Sequence, residues 1–140
     1  MASIPELFLD AATAGCTFVC DGTAFGAEDL AVQARRLANG LKGLGIEPGD
    51  RIAAWLPNIP QYLSLYAATA RLGAILVAVN TRFSAPEIAD IVGRSGATML
   101  VAVRAGDNLA TLSKISADAM PALRHLILCG DDATSEAMGG

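Results

Sequence analysis

The residue best placed for chemistry is an arginine that directly follows an apolar run. Arg82 lies in "NTR", just after "AILVAV" at positions 74–79. If that run is a strand of a parallel sheet, Arg82 lies at the edge where ligands bind. Its guanidinium could then hold a phosphate through two parallel hydrogen bonds. The alternative interpretation is a surface arginine over a helix-cap loop.

Two further groups of polar residues are weaker candidates. Asp131 and Asp132 follow the last apolar run, where a metal-binding acid pair could lie, but solvated charge is the simpler interpretation. His125 is the only histidine, and the sequence lacks the G-x-S-x-G turn that would present a serine nucleophile beside it. We therefore expect a structural histidine, and the residues themselves predict neither a catalytic group nor a metal site.

The glycine-containing stretches do not fit the known phosphate-binding loops. A P-loop needs a glycine-rich turn followed by Lys and then Ser or Thr, and neither Lys42 nor Lys114 has that context. A dinucleotide-binding fold needs G-x-G-x-x-G after its first strand, where this chain has "WLPN". This pattern argues against a Rossmann dehydrogenase.

Composition limits the partners and the compartment. The net charge is −4 with ten scattered basic residues, so nucleic acid is not an expected partner. No apolar run reaches the 18 residues of a membrane span, and a basic signal-peptide start is absent because the first basic residue is Arg35. Cys16, Cys20 and Cys129 form no disulfide framework or zinc pattern. We expect a cytoplasmic protein with reduced thiols and no transmembrane segment.

The chain is apolar for its length. Its 140 residues suit one domain, yet 53% are apolar and only 17% are charged, whereas about 25% is usual for charged residues. This excess indicates a parallel sheet buried on both faces, or a surface that other protein covers. We therefore expect self-association of the isolated chain.

Periodicity predicts an α/β fold with a parallel sheet of about four strands, preceded by a helix and a short hairpin. The first helix is expected at 4–14, the hairpin turns at Asp21-Gly22, and a long helix at 27–44 ends at Gly45. Short apolar runs then alternate with helical segments, which indicates βαβ units. The runs are 51–56, 74–79, 98–103 and 125–129, and the helices are about 59–72, 86–95 and 107–117.

Two strand-to-helix turns carry capping-box patterns. Ser84 is followed by Glu87 three residues later, with Pro86 in the first turn. Asn58 is followed by Gln61 in the same way, which predicts that the Asn58 side chain caps the helix after the first strand. These loops are therefore interpreted first as structural.

The ordered set of motifs resembles the N-terminal region of the adenylate-forming acyl-CoA synthetases, members of the AMP-binding superfamily. The resemblance covers residues 4–131 and predicts that residues 1–130 form the N-terminal part of the AMP-binding domain, with 131–140 as a linker or truncated loop. The motifs are "GDR" (49–51), "LPN" (56–58), "RLGA" (71–74), "NTR" (80–82) and "SGA" (95–97).

The resemblance implies a parent enzyme that uses ATP, Mg²⁺ and coenzyme A. In such enzymes a fatty or aryl carboxylate attacks the α-phosphate of ATP, and the thiol of CoA then displaces AMP from the acyl-adenylate. The family's phosphate loop, adenine motif, magnesium ligand and catalytic lysine do not occur in this chain. The chain alone is therefore expected to be inactive and to bind none of these cofactors. The family also implies that Arg82 contacts a phosphate of CoA.

Two alternatives remain at this stage. The chain could be a stand-alone α/β binding or oligomerisation module on the same scaffold, or a flavodoxin-like nucleotide binder.

Overall fold

The structure, a computed structural model, describes residues 2–130, with the side chain of Phe8 excepted. These residues form two compact units. The helical unit comprises the chain up to Gly49 together with Asn58–Ala74. The sheet unit comprises Asp50–Pro57 and the chain from Ile75 onward.

The helical unit contains three helices that pack on one another, and a hairpin. The hairpin turns at Asp21 (φ 48°) and Gly22 (φ 77°), two successive left-handed residues that match the twist of an antiparallel pair. The prediction of this turn is confirmed. The elements are α1 (Ile4–Thr13), β1 (Thr17–Cys20), β2 (Thr23–Gly26), α2 (Ala27–Gly43) and α3 (Pro60–Arg71).

The apolar stripe of α2 supplies much of the core of this unit. Leu30, Ala34 and Leu41 are buried at helical spacing. The helix then ends as predicted, because the N–H of Gly45 (φ 82°) bonds to the Lys42 carbonyl and the next N–H bonds to the Leu41 carbonyl. This pair of bonds satisfies carbonyls that the end of a helix would leave open.

The sheet unit is built on four parallel strands in the order β4-β3-β5-β6. The predicted parallel sheet is therefore confirmed. Its core lies where one face of β3 and β5 meets α4, and includes Trp55, Leu100, Ile88 and Val92. The elements are β3 (Arg51–Trp55), β4 (Ile75–Ala78), α4 (Ala85–Ser95), β5 (Met99–Val103), α5 (Gly106–Leu112), a 3₁₀ turn (Ala117–Ala119) and β6 (His125–Cys129).

The helix expected at about 107–117 is shorter than predicted. It ends at Leu112, and the Ser113 hydroxyl donates to the Ala110 carbonyl at 2.8 Å. The next N–H groups bond three residues back, with Ile115 N donating to the Leu112 carbonyl. A serine that bonds the local backbone in this way competes with continuation of the helix.

The predicted Asn58–Gln61 capping box is wrong. The N-cap of α3 is Ile59, which is extended (φ −115°, ψ 157°), and Pro60 is the first helical residue. Proline disfavours the helical conformation in the residue before it, although it does not forbid it, since Ala85 begins α4 directly before Pro86. At α3 the residue before the proline, Ile59, stays extended, so Asn58 lies one position too early to cap the helix. Within residues 2–130, no side chain caps this helix.

Candidate functional site at the carboxyl edge of the sheet

The carboxyl ends of the four parallel strands define one edge of the sheet unit. The chain runs from β3 to β4 on one side and then to β5 on the other, so the strand order reverses between β3 and β5. Ligands of open α/β sheets bind at this edge and near such a reversal. The loops that follow β3, β4 and β5 at this edge are therefore the candidate binding loops, and those after β3 and β5 flank the reversal.

Arg82 lies in the tight turn after β4, as predicted, and its side chain is exposed. Its backbone N–H donates to Oδ1 of Asn80 at 2.9 Å, and the N–H of Phe83 donates to the Asn80 carbonyl at 3.1 Å. Within residues 2–130, the Arg82 guanidinium makes no hydrogen bond or ion pair. The turn thus combines a fixed backbone with a guanidinium that is available to an anion.

The N-terminus of α4, the helix after this turn, is capped by side chains of the chain itself. The Glu87 carboxylate accepts from the Ser84 N–H at 2.7 Å and from the Ser84 hydroxyl at 2.6 Å, which confirms the predicted capping box. These two hydrogen bonds, the hydroxyl's first, lower the pKa of Glu87. The start of α4 therefore already holds a carboxylate, and the positive group this loop offers to an external anion is the Arg82 side chain.

A second exposed arginine, Arg104, directly follows β5 at the same edge, and sequence reasoning did not single it out. Its backbone N–H donates to the Cys129 carbonyl at 2.6 Å, and Nδ2 of Asn108 donates to the Val103 carbonyl at 3.1 Å. The available signal was its position immediately after an apolar run, the same signal that identified Arg82.

The loop after β3 continues into Asn58, which belongs to the helical unit. There the Cys20 thiol donates to the Asn58 carbonyl at 3.0 Å. Both residues line a largely apolar cavity of ≈ 390 Å³ together with the aromatic rings of Phe18, Phe25 and Tyr62. Asn58 therefore contributes a backbone contact in place of the predicted helix cap.

The other sequence candidates lie in structural positions or outside the described residues. His125 begins β6 and its backbone N–H donates to the Thr98 carbonyl at 3.1 Å. The cysteines carry free thiols, and burial raises the pKa of Cys129. In the described part of the chain, no group of three or more His, Cys, Asp or Glu residues could hold a metal ion. Asp131 and Asp132 lie outside the described residues.

Comparison with known proteins identifies the family of this α/β scaffold. The family model described as "AMP-binding enzyme" matches residues 11–138. The chain therefore belongs to the AMP-binding enzyme family, in agreement with the motifs of its sequence. Among the helices of residues 2–130, none has both the length and the apolar character that crossing a bilayer requires.

Several relatives are named as CoA synthases or CoA ligases. The chain is 41% identical over 80 residues to a feruloyl-CoA synthase of Amycolatopsis sp., a match that covers 57% of this chain and 16% of that protein. It is 41% identical over 68 residues to the long-chain-fatty-acid–CoA ligase FadD13 of Mycobacterium tuberculosis, covering 49% of this chain and 14% of that protein. The match thus spans less than a fifth of the length of each of these relatives.

The fold also matches a solved structure over nearly its whole length. The N-terminal domain of FACL13 from Mycobacterium tuberculosis superposes with a TM-score of 0.82 at 26% identity. The match covers 99% of this chain and 36% of that chain. The fold described above is therefore similar to that of the N-terminal domain of FACL13.

Proposed function

We propose that this chain is the N-terminal portion of an ATP-dependent acyl-CoA synthetase. The parent would activate a fatty or aryl carboxylic acid as an acyl-adenylate with release of pyrophosphate, and would then transfer the acyl group to CoA. Membership of the AMP-binding family and similarity to named CoA ligases support this activity. Because the match covers about a sixth of those relatives, most of the catalytic groups would come from other parts of the parent.

The specific role proposed for this chain is to hold one phosphate of CoA with Arg82. The observation that carries it is the exposed Arg82 guanidinium, which has no partner within residues 2–130 and stands on a hydrogen-bonded turn at the carboxyl edge of the sheet. A guanidinium matches the geometry of phosphate oxygens and stays charged at all physiological pH values. CoA would then be oriented before its thiol reaches the acyl-adenylate.

ATP and Mg²⁺ would be held elsewhere in the parent. Residues 2–130 contain no metal-binding cluster, and the sequence of the chain has no glycine-rich loop followed by Lys and Ser or Thr. When bound, Mg²⁺ offsets the negative charge of the transferring phosphates. The 140-residue chain alone is therefore proposed to be inactive, with none of these cofactors bound.

The alternative proposal is a stand-alone α/β binding or oligomerisation module. It is favoured by the outer strands of the described sheet, where Ile75 on β4 is 52% exposed and Leu126 on β6 is 47% exposed. Unpaired strand edges with apolar side chains promote association with another chain. Self-association of the isolated chain is proposed in either case, because other parts of the parent would normally cover its apolar surface. A reducing, cytoplasmic location is also proposed for either case, with all three thiols free.

Release of pyrophosphate from ATP tests the main proposal. The parent enzyme should release pyrophosphate when a panel of fatty and aryl acids is supplied, whereas the 140-residue chain should release none. Acid-dependent release of pyrophosphate by the chain alone would contradict the proposal that most catalytic groups lie in other parts of the parent. Absence of turnover by the parent with every acid would contradict the proposed activity.

A further inference from the structure

We propose that Asn80 is a positioning residue for Arg82, and that its side chain sets the direction from which Arg82 reaches the phosphate of CoA. This inference rests on the proposed function and deepens it. Oδ1 of Asn80 accepts the backbone N–H of Arg82 at 2.9 Å, so the side chain closes a turn of its own across Thr81. The side chain of Asn80 therefore fixes the backbone from which the guanidinium projects.

The two ends of the turn are held without the Asn80 side chain. On the strand side, the N–H of Val79 donates to the Ala54 carbonyl at 3.0 Å, and Val79 is 4% exposed. On the helix side, Phe83 packs against the core of the sheet unit, and Ser84 is held by Glu87. Loss of the Asn80 amide should thus loosen the middle of the turn and leave the strand and helix in place.

Fixing the backbone matters because Arg82 has no other anchor within residues 2–130. Its side chain is exposed and is not held there by any carboxylate or carbonyl group. An arginine side chain loses rotamer freedom when it binds a phosphate, and a backbone that is already ordered reduces the total entropy lost. The expected consequence of the Asn80 contact is tighter CoA binding with an unchanged adenylation step.

The test is the KM for CoA in the parent enzyme that carries this chain. Asn80→Ala should raise this KM by about three- to tenfold, the effect of losing one neutral hydrogen bond. Asn80→Ser keeps a weaker oxygen acceptor and should raise it less. Thr81→Ala is the matched control, because Thr81 is exposed and its side chain makes no hydrogen bond within residues 2–130. The maximal rate of acid-dependent pyrophosphate release should stay the same in all three variants.

A double variant separates positioning from general support of the fold. If Asn80 acts through Arg82, then Asn80→Ala should have little further effect on the KM for CoA once Arg82→Ala is present. An undiminished effect in the Arg82→Ala background would overturn the inference, and so would an unchanged KM in Asn80→Ala alone. A parent that forms no acyl-CoA at all would instead refute the proposed function, so the two failures are distinguishable.

Discussion

The guanidinium of Arg51 is hydrogen-bonded to the last turn of α4. Nε donates to the Ser95 carbonyl at 2.9 Å, and Nη2 donates to the Gly96 carbonyl at 3.2 Å. This contact ties the start of the central strand β3 to the end of a helix more than forty residues later. It gives a physical reason for two motifs of the sequence, because "GDR" supplies the donor and "SGA" supplies the acceptors. Carbonyls that the end of a helix leaves open are natural partners for an arginine.

Alanine at Gly96 should be destabilising. Gly96 has a φ of 65°, and a Cβ there would lie 2.7 Å from Nη2 of Arg51. Gly96→Ala is expected to lower the free energy of unfolding by about 1–3 kcal/mol, as measured by urea denaturation. Gly106→Ala is the control, because a Cβ there meets nothing within 4 Å, and it should change stability by less than about 1 kcal/mol. Equal effects of the two substitutions would contradict the contact.

Two glycines inside helices should respond to alanine with opposite signs. A Cβ on Gly93 of α4 would overlap the carbonyl oxygen of Ala119 in the 3₁₀ turn, whereas a Cβ on Gly40 of α2 meets nothing within 4 Å. Gly93→Ala should destabilise by about 1–3 kcal/mol through overpacking. Gly40→Ala should stabilise by about 0.5–1 kcal/mol because alanine favours the helix. A stabilising Gly93→Ala would show that the 3₁₀ turn does not pack on α4.

The Ser84–Glu87 cap should make stability depend on pH in the acid range. Its hydrogen bonds lower the pKa of Glu87 in the folded state, so folding favours the ionised carboxylate. The stability that this cap contributes is fully present above the ordinary glutamate pKa. It is lost as the pH falls through the lowered pKa of Glu87 in the folded state. Glu87→Gln keeps a capping side chain without a titrating group. The decrease in Tm between pH 7 and pH 3 should be smaller in Glu87→Gln than in the wild type, and an identical decrease would contradict the assignment.

Arg82 and Arg104 provide a matched pair for the proposed CoA contact. Both are exposed and follow strands at the same edge, so each contributes similarly to the general positive field. Arg82→Ala in the parent should raise the KM for CoA by about ten- to a hundredfold, as expected for a lost charged hydrogen bond. Arg104→Ala should raise it by less than about threefold if only screened charge is lost. Equal increases in the KM for CoA in the two variants would contradict a specific Arg82 contact and indicate a general electrostatic effect.

Much of the fold was predictable because its signals are local. The stripe of α2, the Asp21-Gly22 turn and the four apolar strands each follow from residue spacing within a short window. The capping box of Ser84 and Glu87 could also be predicted from the sequence, because the two residues lie only three positions apart. The error at Asn58 arose because a residue before proline can be either extended or helical: Ile59 before Pro60 is extended, whereas Ala85 before Pro86 begins α4.

The remaining features depend on contacts that the sequence does not reveal. The strand order β4-β3-β5-β6 decides which loops are neighbours along the carboxyl edge, and no local pattern encodes that order. Arg104 is a different case, because it was overlooked although it follows an apolar run just as Arg82 does. The Asn80 contact is local, but asparagine after a strand occurs in many turns, and only the structure shows that its Oδ1 accepts from Arg82.

The formation of acyl-CoA by the parent enzyme tests the central claim most directly. ATP, CoA and each of a panel of fatty and aryl acids would be incubated with the enzyme, and AMP, pyrophosphate and thioester would be quantified by mass spectrometry. The proposed function predicts one AMP and one pyrophosphate for each acyl-CoA formed with at least one acid. Products limited to ADP and phosphate, or no thioester with any acid, would contradict it.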